Sequence, residues 1–169
     1  EKYSDKKDDQ TPINYYTVNG IMITGFDMSQ IKYGSENAYL RLKRSCLDLG
    51  DIAIARSGTG SIGKSFIYRG SKEKNIVSDL YILRIDQKKC NPHYIDILLK
   101  TKLGRDQIQR NEKGVSGQTK ITSDMIENFT VPIIRSEVQG NIESEYKKMS
   151  AFHDKAMEEK SKGDISTYE

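Results

Sequence analysis

The residues with the clearest chemical potential lie between positions 58 and 65. Gly58-Thr59-Gly60-Ser61-Ile62-Gly63-Lys64-Ser65 matches the P-loop expression, and its first six residues match the dinucleotide fingerprint. Either motif would cradle phosphate on backbone amides at a helix N-terminus, where the helix dipole meets the anion. The sequel opposes both. Ser65-Phe66-Ile67-Tyr68-Arg69 alternates like a strand and Gly70 stops it, leaving no room for the helix. Ile82 and Leu83 stand where a ribose-binding acid would fall, although Asp86 could imitate a magnesium-binding acid. A hairpin loop carrying Ser, Thr and Lys is the better reading. Such a loop still suits nucleic acid: glycine admits a close backbone, Ser57, Thr59 and Ser61 can bond phosphate or base edges, and Arg56 and Lys64 bracket it with positive charge.

A second basic loop runs over residues 113–120. Gln118 could pair with adenine N6 and N7, Lys113 and Lys120 could hold phosphates, and Ser116 and Thr119 add hydroxyls. Arg41, Lys43 and Arg44 are secondary candidates. For each loop the plain alternative is a solvated connection. Other chemistry finds little support. Asn91-Pro92-His93-Tyr94 departs at its third residue from the Asn-Pro-Pro-Tyr motif of amino-methyltransferases and is explained as a helix start. His93 and His153 have no evident nucleophile beside them, so no catalytic residue is assigned. Cys46 and Cys90 form no ligand spacing, so no metal site is expected; as isolated thiols they suit a reducing cytoplasm.

Local signals place these loops. Residues 1–12 read as a flexible arm. Asn14–Val18 and Ile21–Thr24 read as strands joined by Asn19-Gly20, a preferred tight-hairpin pair. Ala38–Leu42 reads as a strand, Ile52–Arg56 as a short apolar one, and Ser65–Arg69 as its return. Ile76–Ile85 reads as one long strand. Asn91 and Pro92 open a helix, which Gly104 separates from a second reaching Arg110. Ser123 could cap a short helix through Glu127, and Phe129–Ile134 reads as strand-like, Pro132 favouring an edge or extended segment. From Ser136, a Ser-x-x-Gln capping box opens a long helix. Its narrow stripe of Val138, Ile142, Tyr146, Met149, Phe152 and Ala156 suits a partner helix more than a broad core face; packing back on its own domain is the alternative.

The chain has 169 residues, with 27 Lys and Arg against 24 acids, a formal net charge of +3. That excess is too small to argue for DNA alone. Its distribution says more, because acids gather toward both ends and basic residues between 32 and 120. No apolar run approaches the roughly 20 residues that span a bilayer, and no signal peptide is visible at the start.

The order of the pieces resembles the target-recognition domains of type I restriction–modification specificity subunits. Gly50-Asp51-Ile52-Ala53-Ile54-Ala55-Arg56-Ser57-Gly58, then Ile62-Gly63-Lys64, is similar to that family's "GD-strand-Gly, then IGK" signature. Asn91-Pro92-His93-Tyr94 resembles its helix start. Gly114, Ser116, Gln118 and Ile121 resemble the loop before its last strand, and Pro132, Glu137, Gln139 and Ile142 the opening of its long helix. The similarity covers roughly residues 50–155. It implies a domain that reads one half of a split DNA site and whose long helix packs on that of a second recognition domain, in the same chain or a second copy. It also implies adenine methyltransferase subunits as partners, S-adenosylmethionine bound by those subunits and by nothing in this chain, and a motor-nuclease subunit able to join. Only one recognition domain and one long helix are present here, where a full specificity subunit has two of each.

The expectation is therefore an α+β fold: a twisted, mostly antiparallel, barrel-like sheet with short helices and a long C-terminal helix. Residues 13–135 form the double-stranded DNA recognition domain, 136–160 the spacer helix and 161–169 a frayed tail. The expected function is non-catalytic, sequence-specific DNA recognition in the cytoplasm. A P-loop nucleotide-binding enzyme and a protein-interaction module that does not touch DNA are the alternatives.

Overall fold

The computed structural model describes residues 3–10, 12–58, 60–70, 73–111 and 120–161. Among these residues eight strands and five α-helices follow in mixed order, and four of the five strand pairings are antiparallel. This is the expected α+β class. Among the described residues the strands form separate sheets of three, two and three strands, not a closed barrel. No helix among them is long and apolar enough to cross a membrane.

The first sheet centres on β1 (Ile13–Tyr16), which pairs antiparallel with β4 (Lys32–Gly34) and parallel with β7 (Asn75–Val77). The expected Asn19-Gly20 hairpin does not form. Val18–Gly20 makes a 3-10 turn, and β2 (Ile21–Met22) pairs instead with β3 (Gly25–Phe26). Gly20 is not in the left-handed region. A Cβ there would fall 2.2 Å from the Phe26 ring, so this glycine serves close approach. Burial explains the outcome. Tyr16 packs among Phe26, Phe66 and Tyr68 with ring centroids 4.8–5.9 Å apart, and a local turn preference is weak beside such an aromatic cluster. The segment expected to be a loose arm is held at residues 3–5. Ser4 exchanges two backbone hydrogen bonds with Tyr33, and Tyr3 stacks on Tyr15.

Ala38–Leu42, expected as a strand, instead falls in helix α1 (Glu36–Arg41) and its C-cap Leu42. The Ser35 hydroxyl accepts from the Ala38 amide at 3.2 Å, and Glu36 occupies the first turn. A cap and a favourable charge there outweigh the apolar run that suggested a strand.

The second sheet is built on β5 (Ile52–Ala55), flanked by β6 (Ser65–Ile67) and β8 (Leu80–Leu83). All four β5 residues are fully buried. Strand alternation sends Ile52 and Ile54 toward the helices and Ala53 and Ala55 toward Tyr16, Phe66 and Tyr68. The small alanines leave room for the aromatic side. The run 76–85 is not one strand. It breaks at Ser78-Asp79, where Asp79 takes φ +56°, so β7 joins the first sheet and β8 the second.

Helix α2 (Pro92–Lys100) begins as expected, with the Asn91 side chain accepting from the His93 amide at 2.8 Å. It ends at Thr101, and α3 (Lys102–Asn111) contains Gly104. A Cβ at Gly104 would lie 2.2 Å from the Leu98 carbonyl oxygen. That glycine permits two backbones to touch and does not break a helix. Helix α4 (Ser123–Glu127) is capped by Thr122, one residue before the expected Ser123. Residues 129–134 pair with no strand. Side chains satisfy their backbone instead: Gln107 bonds both the amide and carbonyl of Thr130, and the Tyr94 hydroxyl donates to Pro132 O at 2.6 Å.

The long helix α5 (Ser136–Ser161) packs back on this domain through one face. Gln139 does not close a capping box on Ser136. Its buried amide accepts from the Asn91 amide at 2.8 Å and donates to Ile134 O at 2.9 Å, tying α5 to the start of α2. Tyr146 is 2% exposed against His93, the Ser150 hydroxyl donates to Thr24 O, and Arg69 forms a bidentate pair with Asp154. The expected partner-helix stripe is therefore divided. Ile142 and Tyr146 belong to this domain's core, while Val138, Met149, Phe152 and Ala156 are exposed.

Docking of α5 carries a pH signature. Burial lowers the His93 pKa below its ordinary 6.5, against the opposing pull of Glu143. The unfolded chain then gains a proton that the folded chain resists. Stability is fully present above about pH 6.5 and declines as pH falls from there toward the folded value. Thermal melts between pH 7.5 and 5.5 should show this decline, and His93→Gln should flatten it.

Candidate nucleic-acid interface

The loop between β5 and β6 closes on itself. Gly58, Gly60 and Gly63 have φ of +106°, +73° and +74°. Gly58 O accepts from the Ser61 and Ile62 amides at 3.0 and 3.1 Å, and the Lys64 amide donates to Ser61 O. The Gly63 amide donates to Ala55 O, and Lys64 O accepts from the Ala55 amide. A phosphate cradle needs several amides free and aimed at one point. Here those of residues 61–64 are consumed by carbonyls of the loop and of β5. Ser65, the position that would meet magnesium in a P-loop, is buried in β6 and donates to Asp96 Oδ1 at 2.6 Å. The geometry opposes the nucleotide-enzyme alternative for the same reason the sequence does, a strand where a helix is required.

What the loop leaves outward is side chains. Arg56 and Lys64 are exposed, and Ser57 and Ser61 half-buried. Lys120, the last residue of the second basic segment, lies beside them. Ser57 forms a β-bridge with Lys120, and the Ile121 amide donates to Arg56 O at 2.8 Å. Lys120 and Ile121, more than sixty residues further along the chain, thus lie beside Arg56 and Ser57 at one end of β5. Arg56, Ser57, Ser61, Lys64 and Lys120 are brought together there. Thr59, Lys113, Ser116, Gln118 and Thr119 lie outside the described residues. Lys64 and Lys120 form no ion pair with a described residue, whereas Arg56 pairs with Asp79 at 3.0 Å. Arg41, Lys43 and Arg44 do not join this group. Their segment continues to Cys46, whose carbonyl accepts from Arg84 at the opposite end of β5.

Behind Lys64 lies an open cavity of about 640 Å³, walled by Ile21–Thr24, Gly63–Ser65, Lys100, Arg105 and His153. Arg105 donates to Ile62 O at 2.9 Å and so braces the loop from α3. Lys100 pairs with the fully buried Asp96, donates to Ile23 O at 2.8 Å, and lies over the Tyr146 ring. Burial lowers its pKa, with Asp96 opposing. Neither cation belongs to a motif in the sequence. The Asp96–Lys100 spacing of four on α2 is a usable signal; Arg105 has none. Among the described residues, no group of His, Cys, Asp and Glu could hold a metal ion.

No protein-family model matches the sequence, and no curated protein matches it. Solved structures do match. A chain from a structure of a type I R-M system, concerned with complex assembly and conformational transition, superimposes with a TM-score of 0.61 at 11% identity, covering 95% of this chain and 40% of that one. The HsdS subunit from Thermoanaerobacter tengcongensis gives 0.63 at 15% identity, covering 93% of this chain and 40% of its own. The structural neighbours are thus HsdS specificity subunits of type I restriction–modification systems, and this chain carries their fold over two-fifths of their length.

Proposed function

We propose that this chain reads double-stranded DNA as one recognition domain of a type I specificity subunit, selecting one half of a split site. The observation that carries the reading is the Ser57–Lys120 bridge. It sets Lys120 beside the glycine-rich loop at one end of β5, on a fold shared with HsdS. Loops on such a frame can follow a groove, with lysines neutralising phosphates while Ser, Thr and Gln side chains meet base edges.

In this reading the chain catalyses nothing and acts in the cytoplasm. Adenine methyltransferase subunits, carrying their own S-adenosylmethionine, perform the modification, and a motor-nuclease subunit can be recruited. The exposed Val138, Met149, Phe152 and Ala156 of α5 would then face the helix of a second recognition domain, and that pairing would set the half-site spacing.

The complex with its adenine methyltransferase partner, challenged with a pool of random-sequence duplexes, should enrich a defined sequence. If Lys64, Lys113 and Lys120 all meet phosphates, log affinity should fall with log salt at a slope of roughly −3. Recovery of an unselected pool would overturn the reading in favour of an interaction module.

A further inference from the structure

Asp79 is the one non-glycine residue with positive φ among the described residues. Its strained backbone sits at the corner where the chain leaves the first sheet for the second. Two hydrogen bonds tie it to Arg56: the Arg56 amide donates to Asp79 O at 3.2 Å, and the guanidinium donates to the Asp79 carboxylate at 3.0 Å. Both side chains are half exposed or more, so the pair adds little stability. A surface pair of small stability, built on a conformation that L residues avoid, has its main consequence in what it does to Arg56.

We propose that Asp79 is a specificity-determining positioning residue for Arg56, an inference that rests on the DNA-reading function above. Arg56 stands beside the Ser57–Lys120 bridge, at the end of β5. An unpaired arginine there would bind any phosphate and raise affinity for every sequence equally. The adjacent carboxylate cancels that charge and repels phosphate oxygens. It occupies one Nη2 N–H of the guanidinium and biases the side chain toward this corner. The remaining N–H groups stay available to a base edge with two acceptors, such as guanine O6 and N7. Asp79 thus suppresses indiscriminate backbone binding by Arg56 and favours base readout.

The test uses the methyltransferase-bound complex, the duplex enriched from the random pool and a scrambled duplex of equal composition. Asp79→Asn keeps a side chain that tolerates left-handed backbone and removes the charge. It should raise affinity for the scrambled duplex about tenfold, steepen its salt slope by about 0.9, and change binding of the enriched duplex less than about threefold. Asp79→Gly, which also relieves the backbone, should lower the ratio of enriched to scrambled affinity similarly. An unchanged ratio in either variant, or equal weakening on both duplexes, would overturn the proposal and leave Asp79 a structural residue. A wild-type complex that does not discriminate would instead remove the DNA-reading function itself, and this inference with it.

Discussion

Asp96→Ala should lower the unfolding free energy by about 3–5 kcal/mol, read by urea or thermal denaturation. Asp96 is fully buried, and its carboxylate accepts from the Ser65 hydroxyl and pairs with the Lys100 ammonium. Lys100 itself is largely buried, and burial already lowers its pKa. Removing the carboxylate would leave a cation and a hydroxyl without their partner in a poorly solvated place, which is the costly half of a buried ion pair. Asp96→Asn keeps an acceptor for Ser65 and should fall between wild type and alanine. A loss below about 1 kcal/mol would show that Lys100 escapes into the neighbouring cavity and finds water. The substitution also bears on function, because Ser65 directly follows Lys64. Loosening β6 from α2 would free the loop that carries Lys64 and that Arg105 braces.

The second large effect is on binding. Lys64→Ala combined with Lys120→Ala should weaken the methyltransferase-bound complex about a hundredfold toward both enriched and scrambled duplexes. The salt slope should become shallower by about 1.8, near 0.9 for each phosphate no longer neutralised. Melting should barely change, since both side chains are exposed and neither forms an ion pair with a described residue. Equal weakening on all sequences would separate these lysines from Asp79, whose substitution alters discrimination. Unchanged affinity with an unchanged slope would mean that the end of β5 beside Lys64 and Lys120 does not face DNA.

Particular elements show how far local sequence reaches. Ile52–Ala55, the loop after it and the strand beginning at Ser65 are all readable, because glycines, alternation and an apolar run agree there. The Asn91-Pro92 helix start is readable because its cap is made by adjacent residues. Asn19-Gly20 misleads, since a turn preference of short range competes with burial of Tyr16 and Phe26, whose partners Phe66 and Tyr68 lie some fifty residues away. The run 76–85 misleads for a related reason. Its apolar pattern is continuous, and only assembly of two sheets reveals that it must turn a corner at Asp79. Glycine has a double meaning as well: Gly104 signals a helix break, but the structure uses it where α3 touches the end of α2.

Local signals suffice for the α+β class, the glycine hairpin with its flanking cations, the capped helix at Asn91 and the long helix from Ser136. Each rests on interactions within a few residues, which spacing records directly. Tertiary structure decided which of these act together. The Ser57–Lys120 bridge, the Arg56–Asp79 pair and the Ser65–Asp96–Lys100 network join residues from separate strands and helices. The same holds for α5, whose apolar stripe is one pattern in sequence but two surfaces in space. Ile142 and Tyr146 are claimed by the domain's own core, and Val138, Met149, Phe152 and Ala156 remain exposed. Helical spacing gives the angle of a side chain around its axis; only the packed neighbours say what lies in that direction.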